Sequence, residues 1–293
     1  MRIAFLLVLA LLTACQASLP SVPQWQGSEG LQHEQLGKII ELRTGNELSP
    51  EQLLERLAAA PKVLVGERHD NPDHHALQLW LLRALATQRD QGSLLLEMLT
   101  PDQQGKVDSV RTAVAQGKAP DDMIRALNWQ PGWPWSLYGP LVQYAVRQPY
   151  PLLAANLERS EVMDIYKTIP TLTGEHSTRA KVQEGLFKQI RSSHCNLLPE
   201  SQLPAMLAVQ QQRDRRMAEA MIAAPEPSIL FAGAYHARRD LGVPLHLRDL
   251  KADKGLQALI LADVGSKVAS ESADYVWYTA AQPEEDHCAQ FRR

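Results

Sequence analysis

The sequence is poor in the groups that announce most chemistries. It holds three cysteines and four phenylalanines in 293 residues. No CxxC pair occurs, so a zinc ribbon or a thioredoxin-like redox centre has no motif behind it. There is no GxSxG elbow and no HExxH helix, which removes the nucleophile-elbow and zincin signatures. Internal repeats and low-complexity tracts are missing. So is an excess of one charge: 30 basic against 33 acidic side chains leave a formal net charge of -3. Nucleic-acid surfaces are basic, so nucleic acid is not an expected partner.

What is present begins at Arg2, which precedes the apolar run IAFLLVLALL. That run is too short to cross a bilayer comfortably. With its positive flank and small-residue end it reads as an export signal over residues 1–14. It ends in Leu12-Thr13-Ala14-Cys15, which resembles a bacterial lipobox. The resemblance implies cleavage before Cys15 and lipid on its sulfur, giving an anchored rather than a spanning protein. Gln16 stands where Asp would resemble an inner-membrane retention signal, so the expected site is the outer membrane, facing the periplasm. Cys195 and Cys288 remain. They read either as a disulfide formed in an oxidising compartment or as two free buried thiols.

Residues 15–30 mix Pro, Ser, Gly and Gln without periodicity and read as a tether. At 45% hydrophobic residues, the remainder (31–293) is long enough for a single domain with one large core. GKIIELRTGNELS predicts a hairpin turning at Thr44-Gly45-Asn46. Ser49-Pro50-Glu51-Gln52 is a capping box. Apolar runs at 63–67, 93–98, 151–156, 228–236 and 258–263 then alternate with helical patterns at 72–89, 101–116, 136–147 and within 201–223. Continuous apolar strands between helices predict an α/β fold with a central, mainly parallel sheet. The section from about 158 to 223 is helical in pattern and reads as an insertion or lobe.

Ligands of open parallel sheets sit beyond the carboxyl ends of the strands. Here those ends carry Glu67 and His69, Glu97, Asn156, His236 and Asp263. An isolated buried carboxylate is costly, so Glu97 after a wholly apolar run needs a partner or a cleft. In GERHDNPDHH, Asn71 caps a helix whose first residue is Pro72, and Asp73 suits its positive end. His74 and His75 diverge by roughly 100° around the axis, so at most one should reach the cleft. A Trp- and Tyr-rich segment holds Trp129, Trp133, Trp135, Tyr138 and Tyr144. It is either a flat apolar wall with Tyr138 as a polar group or a loop packed on the sheet. Arg238 and Arg239 are either surface charges or partners of an anionic ligand.

Several blocks together resemble the ChaN-like family of haem-binding lipoproteins. They are VLVGERHDNPDHHALQ, SLLLEM, NWQPGWPW, AVQQQRDRRMA and AGAYHARRDLGVPLHL, spanning most of residues 38–278. The resemblance extends to a wider superfamily with erythromycin-esterase-like and TIKI-type proteins, some of them hydrolases. Relatives often carry Gly-x-Gly-His or Gly-Asn-His at the fourth strand, whereas this chain reads Gly233-Ala234-Tyr235-His236. The resemblance implies haem as ligand, held by Tyr138, Tyr235, His236 or His75, with Trp133 as wall and Arg238 and Arg239 at the propionates. It also implies a role in iron and haem acquisition beside transport components. An open cleft covers one haem face, so a homodimer on haem binding is expected. The alternative is a hydrolase in which Glu67, His69, Glu97 and His236 activate water, directly or through a divalent metal.

Overall fold

A computed structural model describes residues 19–283, 288 and 289. The expected export signal and Cys15 lie outside the described residues.

The predicted hairpin is β1 (Ile39–Glu41) and β2 (Asn46–Leu48), with Gly45 at φ +77° in its turn. Ser49 caps α1 (Pro50–Ala58) through a complete capping box with Gln52. Next come β3 (Lys62–Glu67), α2 (Pro72–Leu85) and β4 (Ser93–Leu96). Helices α3 (Gln104–Ala115), α4 (Met123–Ala126) and α5 (Trp135–Ala145) lead to β5 (Leu152–Ala154). Residues 158–223 hold α6 (Arg159–Lys167), α7 (Ala180–Ser193) and α8 (Leu203–Ala223). The chain closes with β6 (Ser228–Gly233), α9 (Ala234–Ala237), α10 (Val243–Asp249), β7 (Leu256–Asp263) and β8 (Tyr275–Thr279).

These strands form one 8-stranded sheet in the order β2-β1-β8-β7-β3-β6-β4-β5. Strands β3 to β8 run parallel, and the hairpin adds an antiparallel edge beside β8. The expected α/β fold is the observed one. Both sheet faces are covered, which is why the strands read as unbroken apolar runs. Along β3, Val63 and Val65 enter the larger core with α1, α2 and α5, while Leu64 packs with α8 and α10 on the other face.

Topology then fixes the cleft. From β3 the chain leaves through α2 on one face; from the adjacent β6 it leaves through α9 and α10 on the other. Connections that diverge from neighbouring parallel strands open a crevice at their carboxyl ends. Gly66 lets α9 close one side, because a Cβ there would stand 2.6 Å from that of Ala237.

Residues 19–30 form no helix or strand beyond a single bridge between Glu29 and Ala281, yet they lie against the domain. Trp80 Nε1 donates to Pro20 O (2.8 Å), and Gln26 and Gly27 N–H donate to the Asp73 carboxylate (2.7 and 3.0 Å). Cys195 and Cys288 are joined in a disulfide, with 93 residues of sequence separation.

Candidate functional site

Two carboxylate–histidine groups meet at the mouth of the crevice. The first comes from the end of β3. His69 Nδ1 donates to Glu67 Oε1 (2.6 Å), and the Tyr138 hydroxyl donates to the same oxygen (3.2 Å). Glu67 is buried, and its Oε2 has no hydrogen-bond partner among the described residues. Burial works against a charge on His69, but the hydrogen bond and charge of Glu67 outweigh it and raise its pKa. Burial and then the two glutamates push the Tyr138 phenol far above its ordinary value, so it keeps its proton.

The second group joins β4, β6 and α8. His236 Nδ1 donates to Asp214 Oδ1 (2.5 Å), and its Nε2 lies 3.3 Å from Glu97 Oε1. Glu97 Oε2 accepts the Gly233 N–H (2.7 Å). Burial opposes protonation of His236, but Glu97 and Asp214 overcome it and raise the imidazole to about 10. Burial equally disfavours the Glu97 carboxylate, yet His236, His69 and the Gly233 N–H hold its pKa well below the usual range. At neutral pH this is an imidazolium between two carboxylates. Gly233 separates the two groups, since a Cβ there would sit 2.9 Å from His69 Cε1 and Nε2.

A third network holds the floor. Asn71 caps α2 by accepting the Asp73 N–H (2.9 Å), while its amide donates to Asp263 Oδ1 (2.7 Å) and Ala280 O (2.9 Å). His74 is buried. Desolvation, then His75 and Arg68, lower its pKa, so it is neutral. It accepts the Arg68 N–H at Nδ1 (2.8 Å) and donates from Nε2 to Thr279 Oγ1 (3.0 Å).

Above these groups lies a cavity of about 580 Å³. Glu67, His69, His74, His236, Tyr235 and Arg238 border it, with Ile260, Leu261, Ala262 and Val268 as apolar wall. Tyr235 is 44% exposed, and the Arg238 guanidinium stands 5.9 Å from its ring centroid. Of the sequence candidates, Glu67, His69, Glu97 and His236 come together as one centre. Tyr138, His75 and Trp133 stack behind it, His75 on Tyr138 (centroids 4.3 Å) and Trp133 on His69 (4.9 Å). None of these three borders the cavity, so Trp133 is not the wall expected from the sequence; His74 does border it. Arg239 turns away to Asp274 (2.8 Å) and Leu256 O (2.6 Å). Among the described residues, no three His, Cys, Asp or Glu side chains converge on a metal position.

Sequence reading missed Asp214, although a signal existed. Leu203, Leu207, Gln211, Asp214, Ala218 and Met221 are all buried on α8 and recur at helical spacing. A carboxylate inside such a stripe demands a partner, and His236 is that partner.

An α/β protein with a histidine–carboxylate centre at the carboxyl edge of its sheet is the class defined by these features. Residues 53–247 match the family model described as haem-binding uptake, Tiki superfamily, ChaN, and the chain belongs to that family. A structure of cofacial haem binding to ChaN of Campylobacter jejuni is 30% identical, covers 82% of this chain and 95% of that one, and superposes with a TM-score of 0.74. An erythromycin esterase mutant in its open conformation is far more remote, at 14% identity over 87% of this chain and 85% of that one, TM-score 0.43. No curated protein gives a significant match.

Proposed function

We propose that this chain binds haem in the cleft at the carboxyl edge of the sheet, with Tyr235 as the iron ligand. The observation that carries this reading is the state of the four candidate ligands. Tyr138, His75 and His236 are buried, and Tyr138 and His236 are already committed to carboxylates; Tyr235 alone is exposed on the cavity rim. Tyrosine oxygen is an established kind of axial ligand. The cavity is within the range of small-molecule sites, roughly 300–1,000 Å³. Bound there, haem supplies an iron centre with one face on the protein.

The other face would be open. Cofacial haem binding is what the Campylobacter jejuni protein shows; brought over to this chain it would pair two such faces, and the homodimer expected from the sequence would supply the second. In this reading the protein is exported, lipid-anchored through Cys15 to the outer membrane, and serves iron and haem acquisition with transport components. A haemin titration tests it. The expected result is a Soret shift in the wild type and loss of that spectrum in Tyr235→Phe. An unshifted spectrum in the wild type refutes it.

One observation favours a second reading. The Glu67–His69 pair and the protonated His236 face each other across Gly233. His69 would accept a proton from the water that attacks an ester or amide carbonyl, and the His236–Glu97 pair would line the other side of that position. Turnover of an ester and amide panel, lost in His69→Ala, is the expected result; a divalent-metal content above trace would move the mechanism to a metal-assisted one. No turnover by the wild type leaves binding alone.

A further inference from the structure

A smaller cavity, of about 190 Å³, shares no lining residue with the cleft. Helix α8 serves both. Its Asp214 reaches His236, whereas Gln211, Gln212, Arg215 and Glu219 border the smaller cavity. His246 of α10 and Thr173, in the segment before α7, complete the polar lining. That segment is fastened to both helices. Asp249 Oδ1 accepts the His176 N–H (2.6 Å), and its Oδ2 accepts the N–H and the hydroxyl of Ser177 (3.1 and 2.6 Å). Gln211 Nε2 donates to Ser177 O (2.7 Å). Gly174, at φ +131°, permits the close approach, since a Cβ there would run into the Asp249 carboxylate.

His246 is the unusual member. It is 2% exposed, and neither ring nitrogen has a hydrogen-bond partner among the described residues. Burial lowers its pKa against the opposing charges of Asp214 and Asp249, so the ring is neutral, with one donor and one acceptor. Leaving such groups unpaired costs free energy, and a ligand that bonds to either nitrogen recovers part of it. Two more exposed side chains add charge of both signs. Arg215 Nε donates to Glu219 Oε1 (2.7 Å), the side chains being 28% and 51% exposed. That contact leaves Arg215 its two terminal nitrogens and Glu219 its second oxygen.

We propose that this cavity binds a small zwitterion with a hydroxyl side chain, an α-amino acid of the size of serine. Its carboxylate meets Arg215 and its ammonium meets Glu219. Its hydroxyl meets His246, to which it can donate or from which it can accept. The space agrees: at ~30 Å³ per water, the cavity holds about six waters' worth of ligand. A dianion or a bare metal ion matches less well, since Glu219 repels the first and Arg215 the second. The site does not depend on haem binding, because the cleft contributes no residue to it.

Calorimetric titration of the full chain with serine, alanine, acetate and methylammonium tests this, against Arg215→Gln, Glu219→Gln and His246→Phe. The wild type is expected to bind serine saturably at millimolar concentration or below. Alanine, which lacks the hydroxyl, should bind about tenfold more weakly, and the two half-ligands should not saturate. Arg215→Gln and Glu219→Gln, both at the more exposed end of the lining, should each weaken serine and alanine alike, by about tenfold. His246→Phe should abolish the preference for serine over alanine, an effect that loss of packing alone would not produce. If that variant fails to fold, the serine-to-alanine ratio of the wild type decides the role of the imidazole. No saturable serine binding by the wild type overturns the proposal. So does acetate binding as tightly as serine, or serine affinity unaltered in both Arg215→Gln and Glu219→Gln.

Discussion

His236 is the residue whose surroundings most constrain its chemistry. Its folded pKa, about 10, lies above the ordinary value of 6.5. A raised pKa means the folded state holds the proton more tightly. The stability from this group is therefore complete below about pH 6.5 and is lost as pH rises toward about 10. Thermal melts across that window should fall more steeply for the wild type than for His236→Gln; parallel slopes would contradict the imidazolium. Gly233→Ala should cost roughly 1–3 kcal/mol, because its Cβ displaces the His69 ring; denaturant unfolding measures this. The centre was legible in sequence where a polar side chain ended an apolar strand: Glu67, Glu97 and His236. Asp214 was not, because a helix far along the chain brings it in through tertiary packing. Exposure was equally hidden. Nothing local distinguishes buried Tyr138 from exposed Tyr235.

At the scale of elements, the first turn of α2 carries the most burden. Asn71 satisfies the helix end and also two acceptors from β7 and the chain after β8. Asn71→Ala removes a cap, worth about 1 kcal/mol, and leaves the buried Asp263 carboxylate a donor short, about 1–3 kcal/mol more. A loss of roughly 2–4 kcal/mol by denaturant unfolding is expected, with weaker haemin binding as His74 shifts. The parallel strands and most helices were readable because burial on both faces writes an unbroken apolar run. Strand β8 was overlooked, although Tyr-Val-Trp-Tyr-Thr has the aromatic and β-branched composition of a strand. It sits after the last run with a clear polar end, and only pairing with β7 and β1 reveals its place.

At the scale of the whole molecule, the Cys195–Cys288 link closes the longest covalent loop. Chain entropy alone gives it about 4–5 kcal/mol for a loop of this length. Reduction, or Cys195→Ser, should lower the melting temperature with α/β circular dichroism retained at room temperature. Sequence left the two thiols open between a bond and burial; only the approach of the chain end to α7 decides it. The same holds for residues 19–30. Their composition predicts an unstructured run, and they do lack regular structure, but Asp73, Trp80 and Ala281 fasten them to the domain. That fastening has a mechanical result. Gln26 and Gly27 are tied to the turn that holds His74 and His75, so tension on the N-terminal end is borne by the wall of the cleft. The point of attachment and the point of loading are one lever, at Asp73, directly before the two histidines.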